Sequence, residues 1–207
     1  MKFDITKRMP EVDRLIATLD NPRHIAILEN YRRHAILEVC AMWEGIVAPD
    51  LMVPHPVYRF HMPEGLRILD GMEAVVNEYK GFITSGTTVM YHLDEHVAVS
   101  DQGLFTEYVV ERFWPGQVLR SLGDDIDDPE AIYVVRLTQA MFWPFDELAR
   151  VVEERVYKGS DRTIRKCPAD EVITYQECRE KLLPVLRPAA TPQSVAAARK
   201  LKLIAAE

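Results

Sequence analysis

The chain has 207 residues, 48% of them hydrophobic and 28% charged, a balance that supports one ordinary core with some chain left over and excludes disordered, collagen-like and membrane-protein compositions. A formal charge of −7 lacks the basic footprint needed to neutralise phosphates, so nucleic acid is not an expected partner. Cys40, Cys167 and Cys178 are odd in number and show no CxxC spacing, and so read as reduced thiols. The opening MKFDITKRMPEVDR puts charges where an export signal needs an apolar run, and no stretch of about 18 apolar residues occurs, so a cytoplasmic chain with no membrane partner is expected.

In chain order, residues 10 to 19 predict a short helix, with Pro10 at its first position and Val12, Leu15, Ile16 and Leu19 on one face. Asp20-Asn21-Pro22 stops it and caps the next. From Arg23 to Ile46 apolar residues recur at spacings of three, four or seven, which predicts one long amphipathic helix. Four prolines between 49 and 63 exclude a helix there and leave at most an edge strand and a loop. Helical spacing returns over 70 to 83.

After Thr84-Ser85-Gly86 the period becomes two, predicting a long strand over 89 to 100 and a returning strand over 104 to 114. Asp101-Gln102-Gly103 reads as a three-residue hairpin loop. The acidic stretch 123 to 130 reads as a solvated loop, and two further strands are expected over 132 to 143 and 150 to 158. Residues 169 to 183 and 192 to 204 look helical and are expected to lie beyond the sheet. Helices followed by a meander of antiparallel strands make an α+β fold, with helices covering one face of a curved sheet.

Successive segments carry a resemblance. NYRRHAILEVCAMWEGIVAPDLMVPHPVYRFH, LDGMEAVVNEY, HVAVSDQGLFTE and RVVEERVYKGSD resemble, in that order, the segments of SnoaL-like proteins of the nuclear transport factor 2-like superfamily. The resemblance runs from about Pro22 to Asp161. It divides the chain into an N-terminal helical extension (1–21), a SnoaL-like α+β domain (22–161) and a C-terminal helical tail (162–207). The superfamily is similar to ketosteroid isomerase, scytalone dehydratase, polyketide cyclases and limonene epoxide hydrolase. The resemblance therefore implies a cystatin-like fold with a cone-shaped pocket, a small-molecule ligand, no cofactor and a homodimer formed through the sheet. This chain departs from the pattern at its last core strand, where Lys158 and Gly159 stand and Asp161 is displaced by two.

Within that frame, pairing Ser100 with Leu104 puts Tyr91, Leu93, Glu95, Val97, Phe105, Glu107, Val109 and Glu111 on one mainly apolar face holding three carboxylates. If that face lines the pocket, desolvation and like charge make Glu107 the candidate general base, with Glu95 and Glu111 nearby. If it is solvated, the acids pair with Lys or Arg, and His92 and Tyr108 on the opposite face become the pocket residues. His92-x-Asp94-x-His96 invites a metal, but the two histidines stand roughly 13 Å apart on an extended strand, so no metal is expected and an Asp94–Arg112 ion pair is the alternative. In the proline-stiffened 55 to 61 loop, His55 and Tyr58 are candidate hydrogen-bond donors to a substrate carbonyl and His61 a candidate pocket residue; equally, they tie the loop to the helices. Tyr31, His34 and Trp43 come from the long helix.

Three functions are weighed. The first is a cofactor-independent isomerase, dehydratase or cyclase acting by proton transfer on a small apolar carbonyl or hydroxyl compound. The second is a non-catalytic ligand-binding or assembly protein. The third, epoxide hydrolysis, needs an arginine flanked by two acids, for which Arg112 or Arg136 lacks an acid pair on its own strand. GxSxG, GxxxxGK[ST] and GxGxxG patterns are absent from the sequence, removing the usual pointers to serine hydrolases, P-loop enzymes and dinucleotide binders.

Overall fold

The computed structural model describes residues 1–204, with side chains to Leu201. Helix α1 (Pro10–Thr18) is followed by α2 (Pro22–Val39), whose start is held by the Asn21 side chain accepting from the backbone N–H groups of Arg23 and His24. The expected continuation of α2 to Ile46 fails at Ala41, a left-handed residue with φ 54°. Ala41 N–H donates to Glu38 O and Met42 N–H to Leu37 O, both at 2.9 Å, which closes the helix with a double C-terminal cap. A separate turn, α3 (Trp43–Ile46), leaves in a new direction.

Strands β1 (Met52–Met62), β2 (Gly65–Asp70), β3 (Met90–Ser100), β4 (Gly103–Pro115), β5 (Ile132–Pro144), β6 (Val151–Lys158) and β7 (Thr163–Lys166) form one sheet. Its order is β2-β1-β6-β5-β4-β3, with β7 pairing beside β6 on β5. Only β1 and β6 run parallel. The curved, unclosed sheet is wrapped around α2 and α4 (Met72–Ser85), giving the expected α+β architecture. β1 is not the expected edge strand but lies inside the sheet between β2 and β6. Its ladder to β6 skips from Met52 to Val57, so Pro54 and Pro56 fall where no N–H is asked to donate.

The β3–β4 hairpin determines what the sheet shows to its concave side. The expected three-residue loop is a two-residue one, because Gly103 already pairs with Ser100. Register moves by one, and Glu107 faces His96 rather than Val97. Nearer the strand start the ladder breaks between Leu93 and His96, where Asp94 takes φ 49°. This bulge inserts a residue and reverses the in-and-out alternation, so His92 and Glu95 share the inner side.

The short α5 (Gly116–Ser121) joins β4 to the loop before β5, and beyond β6 the chain does not leave the sheet, since β7 adds a strand before α6 (Tyr175–Leu182) and α7 (Pro192–Ile204). The tail is fastened at fully buried Asn30 of α2. The Asn30 Nδ2 donates to Ala149 O at 2.6 Å and Ala190 O at 2.8 Å, while its Oδ1 accepts from Ala190 N–H at 2.7 Å. Asn30→Leu should strand these backbone groups and cost on the order of 3 kcal/mol. Urea unfolding and limited proteolysis after residue 186 would register the loss; an unchanged midpoint with an intact tail would refute it.

Candidate functional site

The concave side of the sheet and the helices enclose a cavity of about 100 Å³. On α2, Tyr31, His34, Ala35 and Glu38 follow the i, i+3, i+4, i+7 spacing of one helical face, and all four line it. From the sheet come alternate residues: Tyr58 and Phe60 of β1, Tyr108, Arg112 and Trp114 of β4, Gln139, Met141 and Trp143 of β5, and Glu154, Val156 and Lys158 of β6. Arg8, from the segment before α1, reaches the deep end beside buried His92. Exposed Arg67 and partly exposed Phe82, Trp114 and Lys158 mark the more open end. The N-terminal extension therefore contributes to the cavity wall.

Two hydrogen-bonded chains organise the polar groups. His34 Nε2 lies 2.8 Å from the Tyr79 hydroxyl, which lies 3.1 Å from the Tyr58 hydroxyl. Burial holds the His34 pKa down to about 3, so the ring is neutral. With its proton on Nε2 the ring donates to Tyr79, Tyr79 donates to Tyr58, and the Tyr58 O–H is left to donate into the cavity. In the second chain Arg112 Nη2 donates to Gln139 Oε1 at 2.7 Å and Gln139 Nε2 donates to the Tyr108 hydroxyl at 2.9 Å. Tyr108 stacks on His92 at 3.8 Å between ring centroids, and His92 Nε2 is 3.4 Å from Arg8 Nη2. Burial first, and then the two arginines, hold the His92 pKa well below the ordinary value.

Two carboxyls share the cavity. Burial, reinforced by the charge of Glu38, pushes the Glu154 pKa well above the carboxylate range, against the pull of Arg112. Glu38 is also raised by burial, with Arg112 and Arg8 opposing. Burial likewise lowers Lys158 to about 8, and the neighbouring Arg112 and Arg67 add to the shift. The pair of acids near Arg112 that one strand could not supply thus comes from α2 and β6.

Of the residues singled out in the sequence, Tyr31, His34 and Tyr58 line the cavity, as do Arg112 and the alternative pair His92 and Tyr108. Glu107 does not: the one-residue register shift leaves it exposed on the convex face. Phe105, on the same face, is 57% exposed and stacks on Phe142. Glu111 is buried but engaged by Arg136 at 2.9 Å and Arg165 at 3.4 Å, outside the cavity. Glu95 caps α1, accepting from the backbone N–H of Glu11 at 3.1 Å, and burial raises it to about 7. Tyr91 stacks on Phe3 at 4.5 Å and packs under the N-terminal segment. His55 is exposed and bonded to Asp70 at 2.9 Å, and His61 stacks on Tyr157, because β1 alternation turns both away from Tyr58 and Phe60.

The break at Ala41 carries Trp43 to a separate groove beside Lys80. Asp94 stands in the bulge and Arg112 is turned to Gln139, so the alternative ion pair does not form. Among the described residues no three His, Cys, Asp or Glu side chains are gathered as metal ligands. Tyr108 and Val110 are buried and Tyr108 and Trp114 line the cavity, so this side of β4 is the inner wall. Arg8, Glu38 and Glu154 went unrecognised in the sequence. The adjacent Glu153 and Glu154 were a usable signal, since neighbours on a strand must point to opposite faces.

Neither a family model nor a curated protein matches the chain. Solved structures do. A protein from Jannaschia sp. CCS1 designated a SnoaL-like polyketide cyclase is 15% identical, with a TM-score of 0.48 over 68% of this chain and 90% of its own. The chain is similar in path to SnoaL-like and nuclear transport factor 2-like proteins. A nuclear transport factor 2-like protein from Anabaena variabilis is 14% identical, with a TM-score of 0.45 over 78% and 96%. A hexachlorocyclohexane dehydrochlorinase from Novosphingobium barchaimii is 11% identical, with a TM-score of 0.47 over 79% and 98%. These are likenesses of fold, and chemistry has to be argued from the site.

Proposed function

We propose that the chain is a cofactor-independent enzyme that moves a proton on a small, largely apolar molecule bearing a carbonyl or hydroxyl group, as an isomerase, dehydratase or cyclase does. The observation that carries this reading is the buried Glu154 carboxyl lining the cavity together with Glu38 and Arg112. Glu38 is the less buried of the two and has both Arg112 and Arg8 favouring its charge, so we assign the proton shared by the coupled pair to Glu154 and the ionised form to Glu38. Glu38 then takes a proton from the carbon next to a carbonyl. The C–H electron pair moves toward the carbonyl oxygen, which receives hydrogen bonds from Glu154 and Tyr58. Return of the proton from Glu38 to another carbon completes an isomerisation; its delivery to a neighbouring hydroxyl, which leaves as water as the C–C double bond forms, completes a dehydration.

Hydrogen–deuterium exchange next to the carbonyl of small apolar ketones in D2O reads this step without the natural substrate. Glu154→Gln and Glu38→Gln should each slow exchange by roughly 10²- to 10⁴-fold, and Glu107→Gln should leave it unchanged. Ketone binding with no exchange in the wild type would favour the non-catalytic ligand-binding reading. Full exchange in Glu154→Gln would refute the role of Glu154.

A further inference from the structure

The cavity is lined by two guanidinium groups that make no ion pair among the described residues. Arg8 is 3% exposed, yet its protein partners are neutral: Ala35 O accepts from Nη1 at 2.9 Å, the Met9 sulfur is 3.7 Å away and His92 Nε2 lies 3.4 Å from Nη2. Arg112 spends Nη2 on the neutral Gln139 amide. The Nε atoms of both arginines are buried and meet no acceptor among the described residues. Several other arginines are matched by carboxylates, as in Arg67 with Glu78, Arg162 with Asp124 and Arg136 with Glu111, while Arg23, Arg33, Arg120 and Arg179 donate to backbone carbonyls outside the cavity. A buried guanidinium cannot shed its charge by losing a proton, so leaving it unmatched is costly unless an anion completes the site.

Nearby carboxyls do not remove the demand. Glu38 and Glu154 make no ion pair with Arg8 or Arg112 among the described residues, and with Glu154 holding its proton a single ionised Glu38 still faces two guanidinium groups. The two arginines enter from different parts of the chain, Arg8 from the N-terminal segment and Arg112 from β4. The Arg112–Gln139–Tyr108 chain and the stacked His92 ring connect them. Donors in this arrangement, with apolar Tyr31, Met141 and Trp143 around them, suit a compact anionic group on an apolar body.

Resting on the proton-transfer reading of the same cavity, we propose that the substrate is a small carboxylic acid whose carboxylate is gripped by Arg8 and Arg112. Arg8 thereby becomes a specificity-determining residue supplied by the N-terminal extension. The test compares benzoate with its neutral isostere benzamide by titration calorimetry on the full chain. Wild type should bind benzoate about tenfold or more tightly than benzamide. Arg8→Met and Arg112→Met should each remove about that preference while leaving benzamide affinity unchanged, which also certifies the fold. Arg8→Lys should restore part of the benzoate affinity. Equal or stronger benzamide binding in wild type would overturn the carboxylate assignment while leaving the cavity reading intact. Loss of both ligands together in the Met variants would assign the arginines a structural role and overturn it too. Failure of wild type to bind either compound would sink both readings.

Discussion

Glu154→Gln is expected to melt at a higher temperature than the wild type at neutral pH, with the gain vanishing in acid. Burial and the neighbouring Glu38 raise the folded-state pKa of Glu154 well above its value of 4.5 in an unfolded chain. Below that unfolded value both states are protonated and the residue has no pH-linked effect. As pH climbs past it the unfolded chain ionises while the folded one still holds its proton, so stability falls until the folded pKa is passed. Each unit of separation is worth about 1.4 kcal/mol, or roughly 3–6 °C of melting temperature in a chain of this size. Gln keeps the shape and a hydrogen-bond donor and never ionises. Its melting curve should therefore lie above the wild type's at neutral pH and converge with it below pH 4.5. Parallel curves at every pH, or a variant that is less stable at neutral pH, would show that Glu154 is ionised and compensated in the fold. Glu38→Gln should show the same sign, because burial raises that carboxyl too.

Gly103→Ala should be among the most damaging single-methyl changes the chain can take. Gly103 has φ +150°, and a Cβ there would stand 2.0 Å from Trp143 O, 2.9 Å from Trp143 C and 3.0 Å from Pro144 Cα. All three are backbone atoms of β5, so no side chain can swing aside. Relief requires parting β4 from β5 at the hairpin or slipping the register that faces Leu104, Thr106, Tyr108 and Arg112 inward. A loss of roughly 3 kcal/mol or more is expected, about 10 °C in melting temperature. Gly65→Ala separates the two causes, since Gly65 also has positive φ (+140°) but nothing within 4 Å of an added Cβ. It should cost about 1 kcal/mol from backbone strain alone. If Gly103→Ala melts within 2 °C of Gly65→Ala, the close approach to β5 is not what holds this register.

Periodicity and punctuation in the sequence were enough for the α+β architecture. Asn21-Pro22 starts α2, the period of two over 89 to 114 makes the long hairpin, and Thr191-Pro192 opens α7 where expected. These signals are local: a cap, a stripe or an alternation depends on residues a few positions apart. The cavity depends on parity, which local signals do not carry. Ala41 ends α2 with a left-handed cap although alanine favours helix, and so removes Trp43 from the face that keeps Tyr31, His34 and Glu38. Asp94 adds one residue to β3 and Gly103 takes one from the loop, each reversing which side chains look inward. Glu107 was thereby exchanged for Tyr108 and Arg112 at the wall. Prolines 54 and 56 read as an edge because the sequence does not reveal that the β1 ladder skips just those positions. The presence in one cavity of Arg8 and Arg112, 104 positions apart, and of Glu38 and Glu154 arises from packing of the N-terminal segment and α2 against the curved sheet, where burial then raises the two carboxyls.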